Sequence, residues 1–154
     1  MLMVLAESVP QTPKMSDLYK ELETDRELGL KMLNALERGG LIALLRYESL
    51  CLKRLSKPDK ILMDNPNLAY ALASDAKIGS VREAFFCNQV GAKSEVLLSK
   101  EGDFKVNGKY TVEVGGHGKK FDQIADLADS FLAVDDTEYG FGSRVPLWMF
   151  GMLY

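Results

Sequence analysis

The chain has 154 residues, of which 47% are hydrophobic and 27% are charged, and its formal net charge is −3 at pH 7. This composition is typical of a globular protein, and it excludes a disordered chain and a uniformly basic nucleic-acid-binding protein. The two cysteines, Cys51 and Cys87, lack the spacing of a disulfide framework or a zinc site, which favours a cytoplasmic location. The apolar residues 1–6 have no basic segment before them and are too short to span a bilayer, so no membrane partner is expected.

The first half of the chain predicts helices followed by a strand pair. A capping box that starts at Thr24 and the pair Gly39-Gly40 bound a helix with apolar residues at the helical period. Residues 41–45 form an apolar run typical of a buried strand, and residues 60–63 are the expected returning strand. Helices, a tight glycine turn and a two-stranded ribbon are the elements of a winged helix, so we assign residues 1–74 to a winged-helix-like segment.

The predicted ribbon is basic within an acidic chain. Residues 41–60 contain five basic residues against Glu48 and Asp59, a local charge of +3 (5 − 2). Basic side chains on a ribbon can lie on phosphates and release counterions, which makes binding salt-dependent. A winged helix that only packs against a neighbouring domain is the alternative interpretation. The candidate nucleic-acid-binding residues are Arg46, Lys53, Arg54, Lys57 and Lys60.

Two more helices are predicted before the second half of the chain. Asn65-Pro66 is a helix start, because asparagine caps and proline at the first helical position loses no hydrogen bond. A second capping box begins at Ser80 and opens a helix that ends at Gly91. The break between the two helices predicts a domain boundary, with the second domain at residues 75–154.

The strongest local signal of the second half is a β-hairpin. After a candidate strand at residues 95–99, two strands at 103–106 and 110–114 are joined by Asn107-Gly108, which suits the positive φ angles of a type I′ turn. The hairpin carries two carboxylates among apolar neighbours, Asp103 and Glu113. Carboxylates are costly to bury without a partner, so this pair is the best candidate for chemistry.

The glycine-rich segment 115–120 fails as a phosphate-binding loop. The P-loop pattern needs a glycine where Glu113 stands and a serine or threonine where Lys120 stands. The chain therefore shows no nucleotide site of its own. His117 is the only histidine, which excludes a His–His metal site and predicts a solvent-facing turn residue.

The end of the chain is first acidic and then apolar. Residues 121–128 predict an amphipathic helix and residues 130–134 another strand. Six acidic residues between 122 and 138 meet no base before Arg144, which argues against contact of this end with DNA. Residues 145–154 are almost wholly apolar and are expected to be buried against this domain or against a partner, including a second copy of the chain.

The hairpin carboxylates resemble the restriction-endonuclease-like pattern Asp…(Asp/Glu)-x-Lys, in which two strand carboxylates hold Mg²⁺ and the lysine steadies the attacking water. The resemblance implies Asp103 and Glu113 as metal ligands and Glu83 as the acid on the preceding helix. The lysine position of the pattern is Gly115, so Lys119 or Lys120 would have to reach back from the loop. This departure indicates that cleavage has been lost.

Several motifs in order make the resemblance more specific. Together they are similar to the C-terminal half of bacterial predicted ATPases of the AAA+ superfamily; the segments are 57–61, 65–68, 82–89, 102–104, 113–116 and 145–151. The resemblance implies a winged-helix segment and a restriction-endonuclease-like domain, preceded by an ATPase module that would supply the ATP site. It also implies that Met1 is an internal start.

From these observations we expect an α/β chain, with a winged-helix-like N-terminal unit followed by a nuclease-like mixed sheet with flanking helices. The expected function is that of an accessory region of an AAA+ type ATPase, which binds a partner or nucleic acid and has an inactive nuclease-like site. A metal-dependent nuclease that uses Asp103, Glu113 and a displaced lysine is one alternative. A purely structural interaction module is the other.

Overall fold

A computed structural model describes residues 1–8, 14–48 and 57–153 of the chain. These residues form two compact units, 1–81 and 82–154. Each unit contains its own β-sheet, with two strands in the first and five in the second. The chain is therefore a mixed α/β protein, and the boundary after residue 74 stays a prediction.

The first unit combines short helices with one strand pair. Its elements are α1 (Leu2–Ser8), α2 (Met15–Glu21), α3 (Arg26–Arg38), β1 (Ile42–Leu45), β2 (Lys60–Met63) and α4 (Pro66–Leu72). The strands pair antiparallel with Ile42 opposite Met63, and the predicted returning strand is confirmed. The pair is almost wholly apolar and buried, which makes it the centre of this unit's core.

Of the two helix caps predicted in the first unit, one is confirmed and one is displaced by a residue. Asn65 caps α4 by accepting a hydrogen bond from the Asn67 backbone N, as predicted. The capping box at Thr24 is wrong by one residue, because Asp25 is the cap and accepts from the Leu28 backbone N. A carboxylate is an equally good cap, so two adjacent cap-forming residues left the sequence signal ambiguous.

Helix α5 (Ile78–Gly91) leads into the second unit. It ends at Gly91 as predicted, but it begins at Ile78, so Ser80 lies inside the helix and not at its cap. The Ser80 side chain is buried, and its Oγ has no hydrogen-bond partner in the described part of the chain. The capping-box interpretation of Ser80 is therefore wrong.

The second unit is built on a five-stranded mixed sheet with the strand order β3-β4-β5-β6-β7. The strands are β3 (Val96–Leu98), β4 (Phe104–Val106), β5 (Tyr110–Gly115), β6 (Ser130–Val134) and β7 (Arg144–Pro146). The first three are antiparallel neighbours, whereas β6 runs parallel to both β5 and β7. Strand β5 is thus the central strand of the sheet.

The predicted hairpin is confirmed and sits at the centre of this sheet. Asn107 and Gly108 have φ angles of 50° and 65°, and Lys109 N donates to Val106 O at 3.0 Å. Only asparagine, aspartate and glycine adopt such angles at low cost, so the Asn-Gly pair fixes the turn and the register of β4 on β5. Phe104 on β4 is fully buried and stacks on Phe86 of α5, with ring centroids 5.3 Å apart.

The helix predicted at residues 121–128 does not form. Ile124 N donates to Phe121 O and Leu127 N to Ile124 O, so this segment is a series of turns with three-residue spacing. Ile124 is fully buried, whereas Ala125 is exposed, so the predicted apolar face does not form one continuous buried surface. Aspartate has low helix propensity, and this acidic segment gains little from packing that could offset it.

The chain ends in a short 3₁₀ helix, Leu147–Met152. Leu147 is buried, and the Phe150 ring meets the Phe86 ring edge-on with centroids 4.9 Å apart. The expectation of a buried tail holds for Pro146 and Leu147, and Phe150 is half-buried. The side chains of the same segment that remain exposed are Trp148, Met149, Met152 and Leu153.

Candidate functional site

Glu113 is the deepest charged group of the described chain. It lies on β5, where strand alternation puts its side chain on the same face as Thr111. Only 2% of the Glu113 surface is exposed. A carboxylate removed from water in this way needs a compensating charge or hydrogen bond to remain ionised.

Lys119 supplies that charge. Its Nζ lies 2.7 Å from Glu113 Oε1, and the lysine side chain is 38% exposed. The contact depends on Gly115, because a Cβ at this position would lie 2.6 Å from Lys119 Cγ and 2.7 Å from Lys119 Cβ. The lysine stem therefore fills the space that a side chain at position 115 would take. Of the two lysines expected to reach back, Lys119 does so, whereas Lys120 is exposed.

Asp103 is fixed beside Glu113 by the backbone of β5. Its Oδ2 accepts a hydrogen bond from Val114 N at 2.8 Å, and its own N donates to Val112 O at 3.0 Å. These bonds attach Asp103 to the residues on either side of Glu113. Asp103 lies just before β4, so the hairpin register determines where its carboxylate sits.

Glu83, the third predicted acid, acts electrostatically on the same lysine. The hydrogen bond to Glu113 raises the pKa of Lys119, and the negative charges of Glu113, Asp103 and Glu83 raise it further, whereas burial lowers it. A lysine is already charged at neutral pH, and the raised pKa extends the charged range of Lys119 to higher pH. Glu83 of α5, Asp103 and Glu113 thus all lie close enough to act on one cation.

Divalent metal coordination was the chemistry expected of these carboxylates. Among the residues that the structure describes, no three Asp, Glu, His or Cys side chains are arranged to hold a metal ion. Carboxylate oxygens suit Mg²⁺, but Oε1 of Glu113 is already engaged by an ammonium. The arrangement therefore does not fit Mg²⁺, even though the buried Oε2 of Glu113 has no hydrogen-bond partner in the described ranges.

Two arginines that the sequence did not identify contact the loop that carries Lys119, and Arg144 is hydrogen-bonded to it. Arg144 donates from Nη1 to Lys119 O at 3.4 Å and from Nη2 to His117 O at 3.3 Å. Arg82 donates to Asp135 at 2.8 Å, and a Cβ on Gly116 would lie 2.9 Å from its Nη1. The only sequence signal was the isolation of Arg144 after the acidic run.

The single histidine is exposed in the turn between Gly116 and Lys119, as predicted. The turn closes with a 2.9 Å hydrogen bond from Lys119 N to Gly116 O. His117 contributes its backbone carbonyl to Arg144, and the structure gives no chemical role to its ring.

The candidate nucleic-acid-binding residues are only partly described. Lys53 and Arg54 lie outside the described residues. Arg46 is half-buried, and its Nη1 donates to Leu44 O at 3.1 Å. Lys57 is exposed and Lys60 is half-buried on β2. Of the three that the structure describes, Lys57 is the most exposed.

Comparison of the chain with protein-family models, with curated proteins and with solved structures found no match. None of the described helices has both the length and the apolar character needed to cross a membrane. The candidate site is therefore defined by geometry alone, as the group of Glu83, Asp103, Glu113 and Lys119, which we call the acid–lysine cluster.

Proposed function

We propose that the chain is an accessory region of a cytoplasmic AAA+ type ATPase that binds a partner or nucleic acid. In this proposal the first part is winged-helix-like, and the second is nuclease-like with an inactive catalytic centre. The order of elements supports the second assignment. A helix with Glu83 is followed by a hairpin with Asp103 and Glu113 in a mixed sheet, as the resemblance requires.

The ion pair between Lys119 and Glu113 carries the proposal of inactivity. In the nuclease pattern the second strand carboxylate binds a metal ion, whereas here Lys119 Nζ lies 2.7 Å from Glu113 Oε1. The lysine is charged at neutral pH, and the raised pKa of Lys119 means that this cation also persists at higher pH. An incoming divalent ion would have to displace it and recruit ligands that are not arranged around one point.

Metal-dependent cleavage assays test this proposal. The purified chain is incubated with duplex and single-stranded DNA and with Mg²⁺ or Mn²⁺, beside the Asp103→Ala variant. We expect no cutting by either protein and no heat of binding when Mg²⁺ is titrated into the chain. Metal-dependent cutting that disappears in Asp103→Ala would contradict the proposal.

That contrary result would favour the second candidate, a metal-dependent nuclease. The position of Lys119 supports this candidate, because its aliphatic stem occupies the space that a side chain at position 115 would fill. A displaced lysine of this kind keeps an ammonium beside the acids despite the glycine in the motif. The Lys119→Met variant separates the cases, because it would abolish cutting in an active nuclease.

Nucleic-acid binding through the first unit is tested separately. The local charge of +3 over residues 41–60 supports binding to phosphates. We expect duplex DNA to bind at low salt, to dissociate as salt rises, and to bind more weakly to a Lys53→Ala, Arg54→Ala variant. Lys14→Ala with Lys20→Ala is the matched control, because it removes two charges elsewhere in the unit. No binding at low salt, or equal loss in both variants, would exclude this interface.

A structural interaction module is the remaining alternative, and the exposed apolar side chains of the 3₁₀ helix support it. Trp148 is 51% exposed and Met152 is 67% exposed. Sedimentation of the chain at rising concentration tests self-association through this end. Self-association that is lost in Trp148→Ser, Met152→Ser would favour this alternative.

A further inference from the structure

The connection between β6 and β7 displays the two most exposed large hydrophobic side chains of the described chain. Tyr139 is 83% exposed and Phe141 is 87% exposed, compared with 67% for Met152, the next in order. Both belong to residues 135–143, which we call the aromatic loop. Scattered exposed apolar residues are common, but two nearly bare aromatic rings two positions apart are not explained by the packing of this unit.

The backbone that carries these rings is well held. Phe141 N donates to Arg144 O and Arg144 N donates to Phe141 O, both at 3.0 Å, which closes a tight turn with Gly142 at a φ angle of 58°. Gly140 packs closely, because a Cβ there would lie 2.8 Å from Arg144 O. Rigid aromatic side chains on an ordered backbone lose little conformational entropy on binding, which is typical of interface anchors.

The charges around the rings are negative. Asp136 and Glu138 are exposed members of the aromatic loop, which contains no lysine or arginine. Arg144 directly follows the loop, but its guanidinium donates to the carbonyls of Lys119 and His117. Arg82 neutralises part of this charge through Asp135 and Asp136, but the Arg82 side chain is only 17% exposed and presents little positive surface. A nucleic acid would meet repulsion here, whereas a cationic ligand would be attracted.

We propose that the aromatic loop docks an arginine-rich or lysine-rich segment of a partner protein. Guanidinium and ammonium groups stack on the faces of tyrosine and phenylalanine, and adjacent carboxylates bind the same cations. Tyr139 and Phe141 supply the aromatic faces, and Glu138 lies next to Tyr139 in the chain. The proposal goes beyond the accessory function above and does not depend on the nuclease-like assignment.

Fluorescence polarisation with defined peptides tests the docking surface. Two labelled peptides of equal length are titrated with the full chain, one with alternating arginine and glycine and one with alternating glutamate and glycine. We expect the arginine peptide alone to bind, with an affinity that falls as salt rises. Tyr139→Ser with Phe141→Ser should weaken binding by about tenfold or more. Glu138→Gln should weaken it by a smaller factor.

The Tyr70→Ser variant is the matched control, because Tyr70 is 57% exposed on α4 and lies outside the aromatic loop. It should bind the arginine peptide as the unchanged protein does. The substituted side chains are exposed, so equal thermal midpoints are expected and serve as the folding check. Absence of binding, equal binding of both peptides, or equal losses in the control and loop variants would overturn the proposal. Binding of single-stranded oligothymidine that is lost in the loop variant would also overturn it.

Discussion

Two lysine–glutamate pairs in this molecule have nearly the same geometry and different surroundings. On α3, Lys31 Nζ lies 2.6 Å from Glu27 Oε1, and the two side chains are 70% and 80% exposed. In the second unit, Lys119 Nζ lies 2.7 Å from Glu113 Oε1, and Glu113 is 2% exposed. Water can replace either partner of the first pair, but it cannot reach Glu113. Burial, not distance, therefore decides how much the fold depends on each pair.

The largest effect is expected when the buried acid loses its lysine. Lys119→Met removes the charge and keeps the stem over Gly115, so Glu113 is left buried without its cation. The free energy of unfolding should fall by about 2 kcal/mol, as measured by urea denaturation at pH 7. Adding Glu113→Gln should recover part of the loss. A single variant as stable as the unchanged protein would show that Glu113 does not depend on Lys119.

A smaller effect should follow from displacing the same lysine without removing it. A Cβ at Gly115 would lie 2.6 Å from Lys119 Cγ, so Gly115→Ala forces the flexible side chain away from Glu113. We expect a loss of about 1 kcal/mol in the free energy of unfolding. Gly118→Ala is the control, because a Cβ there meets nothing within 4 Å. Equal losses in the two variants would mean that strand or turn propensity, and not the ion pair, is responsible.

The sequence predicted the parts of the second unit that local chemistry determines. Asn107-Gly108 defined the turn because few residue pairs accept two positive φ angles. Strand β6 was predicted with its observed bounds because its apolar run is short and continuous. The hairpin in turn placed Asp103 beside Glu113, so two members of the acid–lysine cluster follow from one local signal.

The rest of the cluster depends on contacts that no local pattern encodes. Arg82 reaches Asp135 across 53 positions of the chain, and Arg144 reaches the Lys119 carbonyl across 25. Residues 121–128 have helical periodicity, but they adopt turns because only Ile124 of the predicted face is fully buried. Periodicity predicts a helix only where a complementary surface covers the whole apolar face.

Alkaline pH should weaken the buried pair and produce a modest difference in stability between the unchanged protein and Lys119→Met. The hydrogen bond to Glu113 raises the pKa of Lys119 above the ordinary value of 10.5. The folded state therefore holds this proton more tightly than the unfolded state, so the stabilisation is complete below pH 10.5 and is lost as the pH rises through the higher folded pKa. The urea midpoint of the unchanged protein should fall more steeply above that pH than the midpoint of Lys119→Met.

Other groups also lose protons at alkaline pH, and their effect cancels because they are present in both the unchanged protein and Lys119→Met. Burial raises the pKa of Tyr19, and a hydrogen bond to Tyr110 raises that of Lys109. Both groups are present in the unchanged protein and in the variant, so the difference between the two pH profiles isolates Lys119. Parallel profiles would contradict the assignment of this proton to the ion pair.

The smallest effect is expected at the exposed pair. Lys31→Met removes a cation 2.6 Å from Glu27 Oε1, but both side chains are already solvated. The pair lies one helical turn apart, where such contacts contribute about 0.3 to 0.5 kcal/mol and are screened by salt. The urea midpoint should therefore shift only slightly and should not differ from that of the unchanged protein at high salt. A loss as large as that of Lys119→Met would mean that desolvation does not set the difference between the two regions.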